Sequence, residues 1–308
     1  MDIIVIFPEQ YFTSKQLASL RKFNLTFIAG KDLDLDRLKD LYTSDEFILA
    51  IDPGRIKENW NSLPIERIKK MKGLKALCLT TTAFGWVDLK KTKDLGIIVT
   101  NTPGKSTEAV AEFNIYMMFS LLRKTPLIIK NNGQMDYDKF QNDEAAGKVA
   151  GILGLGTIGS RVAQLCKNLG MKVIYWDRKK KISPYTSVST TKLFEESDVV
   201  FNTLAGAPEL KGFIDKKLLS LLKPTSIIVN TSPSLIFDTD FIFSHVEKNK
   251  LGGYAFESHE KGVLDYKGNI MVFPEQAYYT LGTLQNTARI LTETILSVIN
   301  NKPVNKVN

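Results

Sequence analysis

The sequence predicts an α/β protein with two doubly wound parallel-sheet domains, and three observations predict it. From Lys148 onward, short β-branched runs alternate with amphipathic stretches of helical period. A comparable alternation fills residues 1–100. Between the two, Asn101-Thr102-Pro103-Gly104 interrupts the pattern as a hinge would. The chain has 308 residues, enough for two buried cores.

In the first half, Ile3–Phe7, Thr26–Ile28, Phe47–Ile51, Ala76–Leu79 and Ile97–Val99 read as strands, each a compact β-branched or apolar run. Lys15–Lys22 and Pro64–Lys70 carry helical spacing between them. A long helix opens at Thr107-Glu108 and runs through Ala111, Ile115, Met118, Phe119 and Leu122. The polar segment from Thr125 to Ala146 shows neither period and is expected to be a loop or an arm reaching a partner subunit. In the second half the expected strands are Val149–Leu153, Lys172–Trp176, Val199–Thr203, Ser226–Asn230, Gly253–Phe256 and Ile270–Phe273. Ile158–Leu169, Lys216–Leu222 and Asp238–Asn249 read as the helices between them, and a last helix runs from Tyr279 to about Asn300.

Composition narrows the function classes. No apolar stretch is long enough for a membrane span, and the start lacks the basic and small-residue features of a secretion signal, so a cytoplasmic protein is expected. Cys78 and Cys166 have no metal-ligand neighbours at useful spacing and read as small core residues, and no metal site is expected. The formal charge is +8, mostly from scattered lysines. The one dense run, Arg178-Lys179-Lys180-Lys181, is either a solvated loop or a patch that attracts a ligand's phosphates. No groove-reading or aromatic element accompanies it, so nucleic-acid binding is not expected.

The sharpest local signal is Gly154-x-Gly156-x-x-Gly159, between an expected strand and an expected helix. In a dinucleotide turn the first glycine makes the bend, the second lets a pyrophosphate reach the backbone, and the third permits close helix–strand packing. The helix start at Thr157 and Ile158 then offers unpaired N–H groups to the phosphates. Asp177 ends the next strand, eighteen positions after Gly159, where a carboxylate accepts both ribose hydroxyls. It would repel a 2′-phosphate, which selects NAD, while Arg178 beside it keeps NADP open.

Further segments widen the pattern. Thr100–Gly104 with Thr107–Glu112, Asp198–Leu204 with Pro208-Glu209, Val229–Ser232 with Asp238, Gly253–Ala255 with Glu257 and Glu260, and Pro274 with Ala277–Thr280 follow in order. Together with the glycine turn they resemble the D-2-hydroxyacid dehydrogenases, over about Leu74 to Leu291. The resemblance implies a flavodoxin-like substrate domain from residues 1–100 with 283–308, a Rossmann cofactor domain from 101–282, and an active site in the cleft. It also implies a small-molecule substrate and a homodimer formed through the long helix and the segment after it. Thr203, Leu204, Thr231, Ser232 and Glu257 then join the glycine turn and Asp177 as expected cofactor contacts.

Members of that family reduce a 2-keto acid using an arginine that grips the substrate, a histidine that delivers the proton, and a glutamate that keeps the histidine basic. At the matching positions this chain has Pro233, Glu275 and Gly262. The resemblance therefore leaves the proton donor to be sought elsewhere. Glu275 is one candidate, because a buried glutamate can donate near neutral pH; a carboxylate paired with a lysine is the alternative. Lys105, beside the hinge, either holds an anionic ligand or is simply solvated. His259 is a proton donor or an ordinary loop residue, and His245 is expected on the exposed side of its helix. Two functions follow: an NAD-dependent oxidoreductase with altered catalytic groups, or an inactive NAD(H)-binding relative that regulates a partner.

Overall fold

The computed structural model describes residues 1–206, 208–232, 236–258, 262 and 265–308. The chain divides into two compact units, Met1–Ser106 with Thr280–Asn308, and Thr107–Tyr279. The divisions fall a few residues from the expected ones at 100/101 and 282/283.

In the first unit the strands are β1 (Asp2–Ile6), β2 (Asn24–Phe27), β3 (Phe47–Ile51), β4 (Leu74–Leu79) and β5 (Ile98–Thr100), all parallel, in the order β2-β1-β3-β4-β5. The helices are α1 (Ser14–Leu20), α2 (Asp40–Thr43), α3 (Ile65–Lys70), α4 (Leu89–Asp94) and, from the chain's end, α11 (Leu281–Ile299). Alternation along the strands explains the continuous apolar runs. Ile4, Ile6, Leu49, Ile51, Leu77 and Leu79 pack on one face. Ile3, Val5, Ile48, Ala50, Ala76 and Cys78 pack on the other, under Leu291, Ile295 and Val298 of α11. A strand buried on both faces has no polar face to alternate with.

In the second unit α5 (Thr107–Leu122) and α6 (Thr125–Lys130) precede β6 (Val149–Leu153), α7 (Thr157–Asn168), β7 (Lys172–Trp176), β8 (Thr186–Ser187), α8 (Thr190–Glu196) and β9 (Val199–Asn202). Next come α9 (Lys216–Leu219), β10 (Ile227–Asn230), α10 (Thr239–Glu247), β11 (Gly253–Glu257) and β12 (Ile270–Phe273). The seven strands are parallel, in the order β12-β11-β10-β9-β6-β7-β8. From β6 the chain steps outward to β7 and β8, then returns to β9 and steps the other way. The carboxyl ends of β6 and β9 are thus a topological switch point, where open α/β sheets bind ligands.

Two expectations are corrected, and one short strand joins those expected. Thr125–Lys130 is a helix, not loop. Pro126 stands in its first turn, where a missing N–H costs nothing, and Lys130 Nζ clamps its end to the carbonyl of Gly268 at 2.7 Å. The short edge strand β8 carries no period long enough to read. His245 is half-buried, stacked on Phe241 with ring centroids 3.7 Å apart and its Nδ1 2.9 Å from the Phe241 carbonyl. Cys78 and Cys166 are buried and free, and burial pushes both thiols up to about 12, so neither is a nucleophile at neutral pH.

Candidate functional site

The glycine turn lies at the switch point. Gly154 has φ +89°, and a Cβ there would press to 2.9 Å from the Leu204 side chain, so the bend admits only glycine. At Gly159 a Cβ would lie 2.0 Å from the Gly154 carbonyl oxygen and 2.6 Å from Thr203 Oγ1. That contact seats α7 directly on the turn. Gly156 differs: a Cβ there would meet nothing within 4 Å. The fold does not need glycine at that position, yet the space beside it is open where a pyrophosphate would approach the backbone. Gly156 is also the N-cap of α7 and supplies no side chain to the first N–H groups, so Thr157, Ile158 and their neighbours are left to an anion. The residues present therefore fit a dinucleotide.

Asp177 sits at the end of β7, mostly buried. Its Oδ2 accepts from the Leu155 N–H at 2.9 Å and its Oδ1 from the Lys179 N–H at 2.8 Å. The first bond ties the carboxylate to the glycine turn itself. Each carboxylate oxygen accepts more than one proton, so both remain able to take ribose hydroxyls. Lys181 Nζ is 3.8 Å away, and Arg178 pairs with Glu209 at 3.3 Å, so the basic run is a partly paired surface loop.

On the other side of the turn a buried polar network joins the ends of β9 and β10 and is anchored on Tyr254 of β11. Asn202 Nδ2 donates to Asn230 Oδ1 at 2.9 Å, and Asn230 Nδ2 donates to the Tyr254 hydroxyl at 3.2 Å. Asn230 Oδ1 also accepts from the Ser232 N–H, and Asn202 Oδ1 from the Leu204 N–H. Ser232 Oγ closes the circuit by donating to the Leu204 carbonyl at 2.7 Å, and Thr203 Oγ1 donates to the Gly154 carbonyl at 2.7 Å. Thr203, Leu204, Thr231 and Ser232 are thereby brought to one rim with the glycine turn. Sequence reading missed Asn202, Asn230 and Tyr254, which look like ordinary strand residues until the register sets Asn202 beside Asn230 and the Tyr254 side chain reaches Asn230 from two residues lower on β11.

Glu257, half-buried at the end of β11, turns one oxygen toward the loop after β12. Its Oε1 accepts from the N–H groups of Gln276 and Ala277 at 2.7 and 2.8 Å. That loop carries Glu275, whose side chain is exposed, so the burial that would make it a proton donor is absent. Gly262 N–H donates to Asp265 Oδ2. Pro233 and His259 lie outside the described residues.

In the first unit, Asp52 at the end of β3 accepts from the Gly54 N–H at 3.0 Å. Burial pushes its carboxyl up, opposed by that bond and by the Lys105 charge. Burial in turn lowers the Lys105 ammonium, and Asp52 counters it. Lys105 is thus a half-buried cation near a half-buried carboxylate, not a solvated one. Among the described residues no cluster of metal-ligating side chains occurs, and no helix is long and apolar enough to cross a membrane.

Comparison with known proteins accords with this geometry. The model of the family described as D-isomer specific 2-hydroxyacid dehydrogenase, NAD binding domain, matches residues 115–277. A D-3-phosphoglycerate dehydrogenase of Archaeoglobus fulgidus is 29% identical over 258 residues, 79% of this chain but 49% of that one. The chain thus spans about half the length of that relative. A glyoxylate reductase of Aeropyrum pernix is 29% identical over 260 residues, 76% of each chain. Among solved structures, an acyclic imino acid reductase in complex with NADPH and D-Arg superposes with a TM-score of 0.81 at 25% identity, covering 100% of both chains.

Proposed function

Since the chain belongs to the D-isomer specific 2-hydroxyacid dehydrogenase family, we propose that it is an NAD-dependent oxidoreductase acting on a small carbonyl or hydroxy substrate with catalytic groups unlike the family's usual set. The observation that carries this reading is the open space at Gly156, beside the uncapped start of α7 and within the turn that Asp177 fastens. NADH, when bound, supplies the hydride. The chain's own residues bind it, orient the substrate and exchange the proton.

Asp177 would hold the adenosine ribose and favour NAD. His259 is the group we assign to proton exchange, and Lys105 to an anionic part of the substrate; Glu275, being exposed, would serve only once a bound substrate covered it. Pro233 stands where an arginine would grip a 2-keto acid, and proline offers no charge and no N–H. Pyruvate, glyoxylate and hydroxypyruvate, lacking a bidentate partner for their carboxylate, are therefore expected to turn over far below ordinary enzyme rates. The imino acid reductase adds a substrate type worth including: 2-keto acids offered together with amines, so that a C=N bond is available for reduction.

The deciding experiment is titration with NADH, NADPH and NAD, followed by that substrate panel. Micromolar NADH binding with weaker NADPH binding and turnover of any panel member would support the reading. Tight NADH binding with no oxidation of it by any substrate would favour the non-catalytic, nucleotide-linked role. Failure to bind any dinucleotide would sink both. We also read the chain as a cytoplasmic homodimer paired through α5 and the segment after it. Tyr116, Ile129 and Tyr137 on that stretch are 51%, 42% and 86% exposed, apolar surface that pairing would cover. Light scattering that returns a monomer mass at micromolar concentration would refute the pairing.

A further inference from the structure

A buried amide on α5 determines which way a hydroxyl at the end of β10 can bond. Asn114 has no solvent exposure. Its Nδ2 lies 2.8 Å from the Val110 carbonyl oxygen and 3.0 Å from Thr231 Oγ1. The Val110 carbonyl can only accept, so the atom facing it must be the protonated nitrogen; the amide cannot be turned the other way. The second proton of the same NH2 group then goes to Thr231 Oγ1. Thr231 is obliged to accept there, which leaves its own proton for a different partner. Among the described residues no acceptor takes it. Asn114 Oδ1, meanwhile, is buried without a hydrogen-bond partner among the described residues. Burying such an acceptor is unfavourable, so packing alone gives no reason for an asparagine here.

Topology says what Thr231 would meet. The order β10-β9-β6-β7 places Thr231 three strand spacings from Asp177, roughly 14 Å at the usual separation of strands. With the adenosine ribose at Asp177 on β7 and the pyrophosphate at Gly156 after β6, the rest of a dinucleotide runs toward β9 and β10. We propose that Asn114 is a positioning residue that fixes the Thr231 hydroxyl as a hydrogen-bond donor to an acceptor oxygen on the nicotinamide nucleoside half of the cofactor. This rests on the cofactor reading above, and ADP, which lacks that half, separates the two.

The experiment measures binding of NADH and of ADP to the full chain and its variants by calorimetry. Thr231→Val, which keeps the shape and removes the proton, weakens NADH about ten-fold, the scale of one hydrogen bond, while Thr231→Ser retains wild-type affinity. Asn114→Asp presents an acceptor instead of a donor, draws the Thr231 proton inward, and produces the same loss. The double variant is no weaker than either single one, because both remove one interaction. ADP affinity is unchanged throughout. Should Asn114→Asp not fold, Asn114→Leu leaves Thr231 free to rotate and weakens NADH by a smaller factor. Unchanged NADH affinity in Thr231→Val or in the Asn114 variants overturns the proposal, as does a parallel loss of ADP. A wild-type chain that binds neither NADH nor ADP overturns the cofactor reading first, and this inference with it.

Discussion

Two glycines in one turn make opposite demands at the residue scale, and substitution can tell them apart. Gly159→Ala would drive a methyl to 2.0 Å from the Gly154 carbonyl oxygen, so α7 must shift; a large drop in melting temperature accompanies loss of NADH binding. Gly156→Ala meets no protein atom within 4 Å and is expected to fold with a melting temperature near wild type. Its methyl would instead occupy the space left for the pyrophosphate, weakening NADH by roughly 1–3 kcal/mol, the usual scale of overpacking. If Gly156→Ala destabilises the protein as much as Gly159→Ala, the open space is structural and the assignment fails. Gly154, Gly156, Gly159 and Asp177 were legible in the sequence because phosphate and ribose recognition demand those residue types at that spacing. The pairing of Asn114 with Thr231 was not, since 117 positions separate them and only the packing of α5 brings them together. The exposure of Glu275 was hidden for the same reason: burial belongs to the folded surroundings and not to a residue's neighbours in sequence.

Elements were legible where their burial is uniform. Val149–Leu153, Lys172–Trp176, Phe47–Ile51 and Ile270–Phe273 form strands over the expected spans, because each is an apolar run fixed by sheet position. The exceptions are elements held by single contacts. α6 is six residues long, too short to be stable alone, and it depends on the Lys130 ammonium donating to the Gly268 carbonyl. Burial lowers Lys130 from 10.5 to about 8. The unfolded chain therefore binds more protons than the folded one between about pH 8 and 10.5, and in that window the Lys130 contribution to stability rises with pH. Below pH 8 the lysine is charged in both states; the clamp is still made, but against the full cost of keeping that charge in a half-buried place. Lys130→Met should flatten this part of the stability profile in denaturant melts taken at pH 7.5 and 10. An unchanged slope would mean that other groups produce it. Lys130→Met also removes the clamp, so hydrogen exchange in Thr125–Lys130 should quicken at pH 7.5 while that of β6 does not.

For the whole molecule the two units differ in how the chain builds them. Residues 107–279 are continuous and hold every residue assigned to the dinucleotide: the turn from Gly154 to Gly159, Asp177, Asn114, Thr231 and Glu257. Their core lies on both faces of their own sheet, around Ile152, Val162 and Phe201 on one side and Leu153, Phe194 and Ile228 on the other. Residues 1–106 lack that independence. One face of their sheet is closed by Ala288, Leu291, Ile295 and Val298 of α11, and the edge strand β5 is held by the last residues of the chain. Asn308 Nδ2 donates to the Ile97 carbonyl at 2.7 Å and its Oδ1 accepts from the Val99 N–H at 3.0 Å, while the Asn101 N–H donates to the Asn305 carbonyl. Leu291, Ile295 and Val298, at about 1.5–3 kcal/mol each, together rival the ~5–15 kcal/mol stability margin of a typical domain. A fragment of residues 107–279 is therefore expected to fold cooperatively and bind NADH within about ten-fold of the full chain, whereas residues 1–106 alone should stay unfolded and regain structure only when 280–308 are supplied. Circular dichroism melts and NADH titration of the three preparations decide it. A 107–279 fragment that folds but does not bind NADH would move the cofactor's main contacts out of that unit. A 1–106 fragment that melts cooperatively would show that α11 closes a core already complete without it.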